Sequence, residues 1–210
     1  MAGRQLGLLD ADAREPAFDA EFRGIRRIPL AHGAWLDYAQ GWLSGHGSVF
    51  ESLLRDSDWQ TSEQHMYDRT VATPRLIASV PSERVPPLLE AARRALSARY
   101  GQELTRVSLA LYRDGKDSVA FHGDRIAREL PEALVATLSV GAPRRFVLRP
   151  RARMHSDQGP RKSLALNLGW GDLLVMGGTC QRTWQHSIPK VSHAEPRIAI
   201  MFRPVWEPPA

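Results

Sequence analysis

The sequence predicts a mainly β fold, a sandwich or barrel with α elements packed outside it. Three observations carry that reading. From Leu104 onward short apolar segments recur with alternating patterning, turns containing Gly or Pro separate them, and helical spacing is confined to the first half of the chain. At 210 residues, 43% apolar and 24% charged, the chain suits one soluble domain, residues 1–210, with a sizeable core.

Residues 1–23 are polar and aperiodic and read as a partly ordered lead-in. Residues 26–38 are strand-like around His32-Gly33, with Trp35, Leu36 and Tyr38 as core anchors. Val49, Phe50, Leu53 and Leu54 have helical spacing and predict a short amphipathic helix. Residues 59–80 are less regular. There Trp59, Met66, Tyr67 and Arg69 precede Thr73-Pro74-Arg75-Leu76, a mixture that suits base stacking and phosphate pairing as well as it suits a loop capping the core. The clearest helix runs from Pro86-Pro87 to Tyr100. The prolines sit where a missing N–H does no harm, Gly101 follows its end, and Arg93, Arg94 and Arg99 read as a solvated face.

Beyond Leu104, Val107, Leu109 and Leu111 share one strand face while Ser108, Ala110 and Tyr112 share the other, and Asp114-Gly115 marks a turn. Residues 134–140 and 146–149 read as a hairpin about Gly141-Ala142-Pro143. Strands follow at 163–168 and 173–176 around Gly169-Trp170-Gly171-Asp172, then at 184–188 and 197–202.

Charge and cysteine content narrow the function classes. The net charge of +5 suits a polyanionic partner without demanding one, and Arg144 to Arg153 holds five arginines in ten residues, either a solvated face or a phosphate-binding surface. The lone Cys180 excludes an internal disulfide and a cysteine-based zinc site. No apolar run approaches the ~20 residues of a membrane span, and Met1-Ala2-Gly3-Arg4 lacks an apolar signal core, so the expectation is a cytoplasmic protein with no membrane partner.

The chemistry-bearing stretch is His122-Gly123-Asp124, which can present an imidazole and a carboxylate to one cation; alone it is a weak signal. A third ligand from His186 strengthens it. Two histidines and one carboxylate leave coordination positions open, the set used by non-haem Fe(II) oxygenases. Downstream, Arg197 and Arg203 bracket an apolar strand six positions apart and so face one side, where a buried guanidinium calls for a carboxylate partner such as a dicarboxylate co-substrate.

With these residues in place the chain resembles the AlkB family of iron- and 2-oxoglutarate-dependent dioxygenases. The matching pieces are Leu111-Tyr112-Arg113-Asp114-Gly115-Lys116-Asp117-Ser118-Val119, His122-Gly123-Asp124, Gly171-Asp172-Leu173-Leu174-Val175-Met176, His186-Ser187-Ile188-Pro189 and Arg197 with Arg203. They keep the family's order over about half the chain.

The resemblance implies a double-stranded β-helix, or jelly roll, over residues 104–206, preceded in 1–103 by an extension, helices and a nucleotide-recognition lid. It implies Fe(II), 2-oxoglutarate and O2, with iron on His122, Asp124 and His186, and with Tyr112 and Arg197 receiving the distal carboxylate and Arg203 near the chelating end. It implies oxidative demethylation of alkylated DNA or RNA with release of formaldehyde, succinate and CO2, by a monomer. Met66, Tyr67, Arg75 and Arg125 are the candidate substrate contacts. His155 and His193 compete for the third ligand position, but His155 lies in a basic loop and His193 only four residues before Arg197, whereas His186 precedes Arg197 by eleven, a separation like the family's.

Two departures stand out. Ala110 and Ala199 occupy positions that are commonly asparagine in the family, leaving the co-substrate to other groups such as Arg113, and Arg125-Ile126 replaces an acidic pair. Two rival readings remain. One is a dioxygenase of the same chemistry acting on a small molecule or protein side chain; the other is a non-catalytic nucleic-acid-binding sandwich in which His122, Asp124 and His186 do not converge.

Overall fold

The computed structural model describes residues 14–66, 69–124, 131–151 and 163–204; for 62–66 and 69–73 it describes the backbone alone. In chain order the elements are β1 (Ala17–Phe18), β2 (Arg26–Pro29), β3 (Ala34–Ala39), β4 (Leu43–Ser44), α1 (His46–Asp56), β5 (Gln60–Met66), β6 (Arg69–Val80), α2 (Pro87–Tyr100), β7 (Arg106–Tyr112) and β8 (Val119–His122). There follow β9 (Val135–Gly141), β10 (Arg144–Pro150), β11 (Leu164–Leu168), β12 (Leu173–Gly178), α3 (Cys180–Thr183), β13 (Trp184–Ile188) and β14 (Arg197–Arg203).

Two sheets form the frame. The larger runs β2-β3-β12-β9-β14-β7-β6-β5 and the smaller β11-β10-β13-β8. Between β7 and β14 the chain repeatedly changes sheet: β7, β9, β12 and β14 lie in the large one, β8, β10, β11 and β13 in the small one, with antiparallel neighbours throughout. This winding is the double-stranded β-helix the sequence led us to expect.

The large sheet is covered on both faces, which explains why β9 and β12 are buried at every position and why Leu173-Leu174-Val175-Met176 is continuously apolar. On its outer face Leu109, Leu138, Ile200 and Phe202 pack against Phe50 of α1 and Leu89 and Leu96 of α2. On the inner face Ala110, Tyr112 and Leu174 meet Phe146, Leu148 and Leu168 of the small sheet. α2 buries Leu89, Ala92 and Leu96. It stops at Gly101, whose φ of 64° is open to glycine without a Cβ penalty.

Several expectations need correction. The segment 59–80 contains a hairpin, β5 with β6, which extends the large sheet and shifts register between Thr61 and Glu63. Segments β9 and β10 are not a hairpin: β9 pairs with β12 and β14, β10 with β11 and β13, because the turn at 142–143 carries the chain from one sheet to the other. The single helical turn α3 lacked a periodicity to reveal it. Arg93 is not solvated, since it bridges Glu90, Glu103 and the Leu104 carbonyl. Leu54 is exposed while Leu53 is buried.

Candidate metal centre and co-substrate cavity

β13 lies between β8 and β10, so His186 has His122 on one side and Leu148 on the other. Trp184 and Ile188 belong to the inter-sheet core, and strand alternation brings His186 to the same face. His122 gets there differently. Val119 pairs with Ile188 and His122 with His186, so β8 carries one residue more than β13 between the paired positions. This bulge lets Val119 and His122, three apart, both turn inward, the re-aiming that bulges near functional sites provide.

Asp124 follows the strand end, its backbone N–H held by the Gln181 side chain of α3 at 2.9 Å. The ligand atoms of His122, Asp124 and His186 all lie within 4.8 Å of one another. The two imidazoles tilt at 4.3 Å between centroids, and Phe146 stacks on His186 at 5.3 Å. His122 Nδ1–H donates to the Ala120 carbonyl at 2.8 Å, which keeps the proton on Nδ1 and leaves Nε2 free to coordinate.

The set fits a metal ion on one further observation. Asp124 Oδ2 is buried and has no hydrogen-bond partner among the described residues, while Oδ1 has only Arg203 at 3.4 Å and His122 at 4.0 Å. Burial pushes His186 down to about 3 and lowers His122 as well, so both are neutral donors at neutral pH. Burial works against the Asp124 charge, yet the Arg203 guanidinium beside it, with Arg75 further off, keeps the carboxyl below the ordinary carboxylate range.

These residues line a cavity of about 640 Å³, of the size that holds small organic ligands. Arg75, Arg197 and Arg203 also line it, three guanidinium groups against the single carboxylate of Asp124. Arg197 is buried, donates to Ser139 Oγ at 2.6 Å, and has an Nε without a partner among the described residues. Burial lowers it to about 10, which leaves it cationic. It stands opposite Tyr112 on neighbouring strands, with its guanidinium 5.5 Å from the ring centroid. Arg75 donates to the Tyr112 hydroxyl at 3.0 Å. A dicarboxylate would find unmatched positive charge here.

Of the other candidates, Met66 belongs to β5 but its side chain, like Tyr67, Arg125 and His155, lies outside the described residues. His193 is exposed beside Glu195, away from the cluster. Arg113 is engaged elsewhere, in a two-pronged pair with Asp117 at 2.8 and 2.9 Å that closes the β7–β8 turn. Arg144 does not belong to a solvated basic face; it is buried and clamps the carbonyls of Asp114, Asp117 and Pro189. Ala110 and Ala199 are cross-strand partners on the inner face. Sequence reasoning missed Ser139 and Gln181, because a serine in a buried strand and a glutamine in one helical turn carry no pattern of their own.

Comparison with known proteins agrees with this architecture. The family model of the 2OG-Fe(II) oxygenase superfamily matches residues 42–203. Alpha-ketoglutarate-dependent dioxygenase alkB homolog 3 of Bos taurus is 32% identical over 202 residues, covering 89% of this chain and 68% of that protein. The Homo sapiens protein of that name is 30% identical over 77% of this chain and 62% of its own length, so the chain spans about two thirds of these relatives. DNA oxidative demethylase ALKBH2 of Arabidopsis thaliana is 28% identical, covering 95% of this chain and 76% of that protein. Among solved structures, OsALKBH1 superposes with a TM-score of 0.55 at 14% identity over 85% of this chain and 99% of its own. A prolyl hydroxylase of Trichoplax adhaerens in complex with a hypoxia inducible factor peptide gives 0.57 at 13% over 80% and 82%. At those identities the two structures speak for the fold. The chain belongs to the 2OG-Fe(II) oxygenase superfamily, within its AlkB family.

Proposed function

We propose that the protein oxidatively demethylates N-alkylated bases in DNA or RNA, with iron held by His122, Asp124 and His186. The carrying observation is the convergence of these three at the wall of a cavity that also holds unmatched guanidinium groups. Iron with 2-oxoglutarate and O2 supplies hydroxylation of the N-alkyl carbon, with succinate and CO2 as co-products and formaldehyde lost from the hydroxylated base.

The chain's own residues do the positioning. Arg197 and Tyr112 take the distal carboxylate of 2-oxoglutarate, the guanidinium fork matching it as an ammonium would not. Arg203 orients Asp124, the Ala120 carbonyl sets the His122 tautomer, Phe146 holds the His186 ring, and Gln181 pins the Asp124 backbone. Arg75 at the Tyr112 hydroxyl adjoins the co-substrate end of the cavity as well as the substrate's side. A base in a duplex would have to be flipped out, which a lesion that has already broken pairing makes easier.

The named relatives include a DNA oxidative demethylase, which supports a nucleic-acid substrate. In this reading the protein acts as a monomer, with residues 104–206 as the catalytic core and 1–103 supplying an N-terminal extension, helices and the substrate lid. The lone buried Cys180 fits a cytoplasmic setting. No described helix is long and apolar enough to cross a membrane. The test is formaldehyde release from 1-methyladenine or 3-methylcytosine in oligonucleotides with Fe(II), ascorbate and 2-oxoglutarate. Succinate production with no demethylation of DNA or RNA would instead favour hydroxylation of a small molecule or protein side chain.

A further inference from the structure

The outward face of β10 runs between two further cavities. A second cavity, of about 520 Å³, backs onto the metal cluster: it shares Phe121, His122, Gly123 and Asp124 with the first and adds Arg151, Gln181, Arg182 and Gln185. A Cβ on Gly123 would collide with the Gln181 carbonyl as well as with the Arg151 guanidinium, so the glycine of the triplet lets α3 and that arginine lie close against it. At the rim Arg149 sits 3.7 Å over the Phe121 ring and leans on Gln185.

The other lies at the far end of the same strand. Arg145, Val147 and Arg149 alternate outward along β10 with Arg145 opposite Asn167 of β11, which places Arg145 about 13 Å from Arg149. Arg145 and Asn167 open into a cavity of about 680 Å³ bordered by Trp170 and Val191. Those two are 39% and 38% exposed and are two of the three exposed large apolar side chains among the described residues. Trp170 also has a φ of 45°, a conformation bulky residues avoid. Neither packing nor backbone preference accounts for an indole there. Glu195, the acidic group at this cavity, is paired with His193 at 3.3 Å, and none of Arg145, Arg149 and Arg151 has a carboxylate within ion-pair distance among the described residues.

We infer that this strip is a track for a single nucleic-acid strand, its phosphates on Arg149 and Arg145 and an unpaired base stacked on Trp170, several nucleotides from the base in the metal-side cavity. The inference rests on the nucleic-acid reading above and extends it to a second contact. An exposed indole stacks on any base and requires only that the base be unpaired, while arginines spaced along a strand follow the backbone.

The test is fluorescence anisotropy of labelled oligothymidylates of about five and about fifteen nucleotides, the span of known single-strand sites, on the full chain. Wild type should bind the longer strand at least about tenfold more tightly. Arg145→Glu and Trp170→Gly should each remove most of that advantage while demethylation of a methylated pentamer stays within about twofold. Glycine accepts the backbone angle at 170, so a loss in Trp170→Gly is not misfolding. An advantage that survives in both variants, or a duplex of the long strand that binds as tightly as the strand itself, overturns the track. Demethylation without any length advantage also removes the track and leaves the function standing; a length advantage without demethylation of any methylated strand does the reverse.

Discussion

Asp172 and Asp124 are both buried carboxylates, 5% and 9% exposed, and their surroundings are opposite. Asp172 is saturated. Gly41 N–H reaches one oxygen at 2.8 Å, and the Tyr38 hydroxyl and Gly169 N–H reach the other at 3.1 and 3.3 Å, so the side chain ties the β11–β12 turn to the chain entering β4. Asp124 has one oxygen with no partner among the described residues and the other shared between Arg203 at 3.4 Å and His122 at 4.0 Å. A buried oxygen without a donor is costly, and it is kept where a ligand completes it. Burial alone does not separate a structural carboxylate from a functional one; the tally of donors does.

The sharpest way to break this contrast is Asp124→Ala. Bound iron, read by metal analysis after reconstitution, should fall to background and formaldehyde release by at least about a thousandfold, since losing a group that merely supports a ligand already costs roughly 10- to 100-fold. Retained iron would end the distinction. Asp172→Ala should do the converse. It strands three donors, at about 3 kcal/mol and a melting temperature about 10 °C lower, with iron per folded protein unchanged.

Arg197→Lys comes next. An ammonium lacks the fork, so the KM for 2-oxoglutarate should rise about tenfold with a smaller change in kcat; an unchanged KM would place the distal carboxylate elsewhere. The smallest effect calibrates the contrast on a partly exposed carboxylate. Hydrogen bonds from Arg93 and Arg94 hold the Glu90 carboxyl at about 2, below its ordinary 4.5. A depressed value contributes stability above pH 4.5 that is lost as pH falls towards 2, about 1 kcal/mol once solvent screening is allowed for. Acid titration of stability in Glu90→Gln should lack that increment.

Much of this architecture was legible in the residues. The Pro86-Pro87 start and Gly101 stop marked α2, and alternation in 104–112 assigned Leu109 and Leu111 to one face and Tyr112 to the other. His122, Asp124 and His186 were legible as residue types and in order. The hairpin β5–β6 was not, because an edge hairpin rich in polar residues shows weak period-2 contrast. The charge run of 144–153 was legible only in part: Arg144 is a buried clamp while Arg145 and Arg149 face outward, a difference set by strand alternation that composition cannot show.

By itself the sequence determined many local patterns: the two longer helices and most strands of the second half, which residue types can bind a cation, and which family they resemble. Tertiary structure alone decided that His122 turns inward, because that depends on one extra residue in β8 relative to β13, a register between strands more than sixty positions apart. It also decided which buried charges are satisfied. A side chain's donors come from wherever the fold brings the chain back, and the spacing of residues along the chain carries no record of that return.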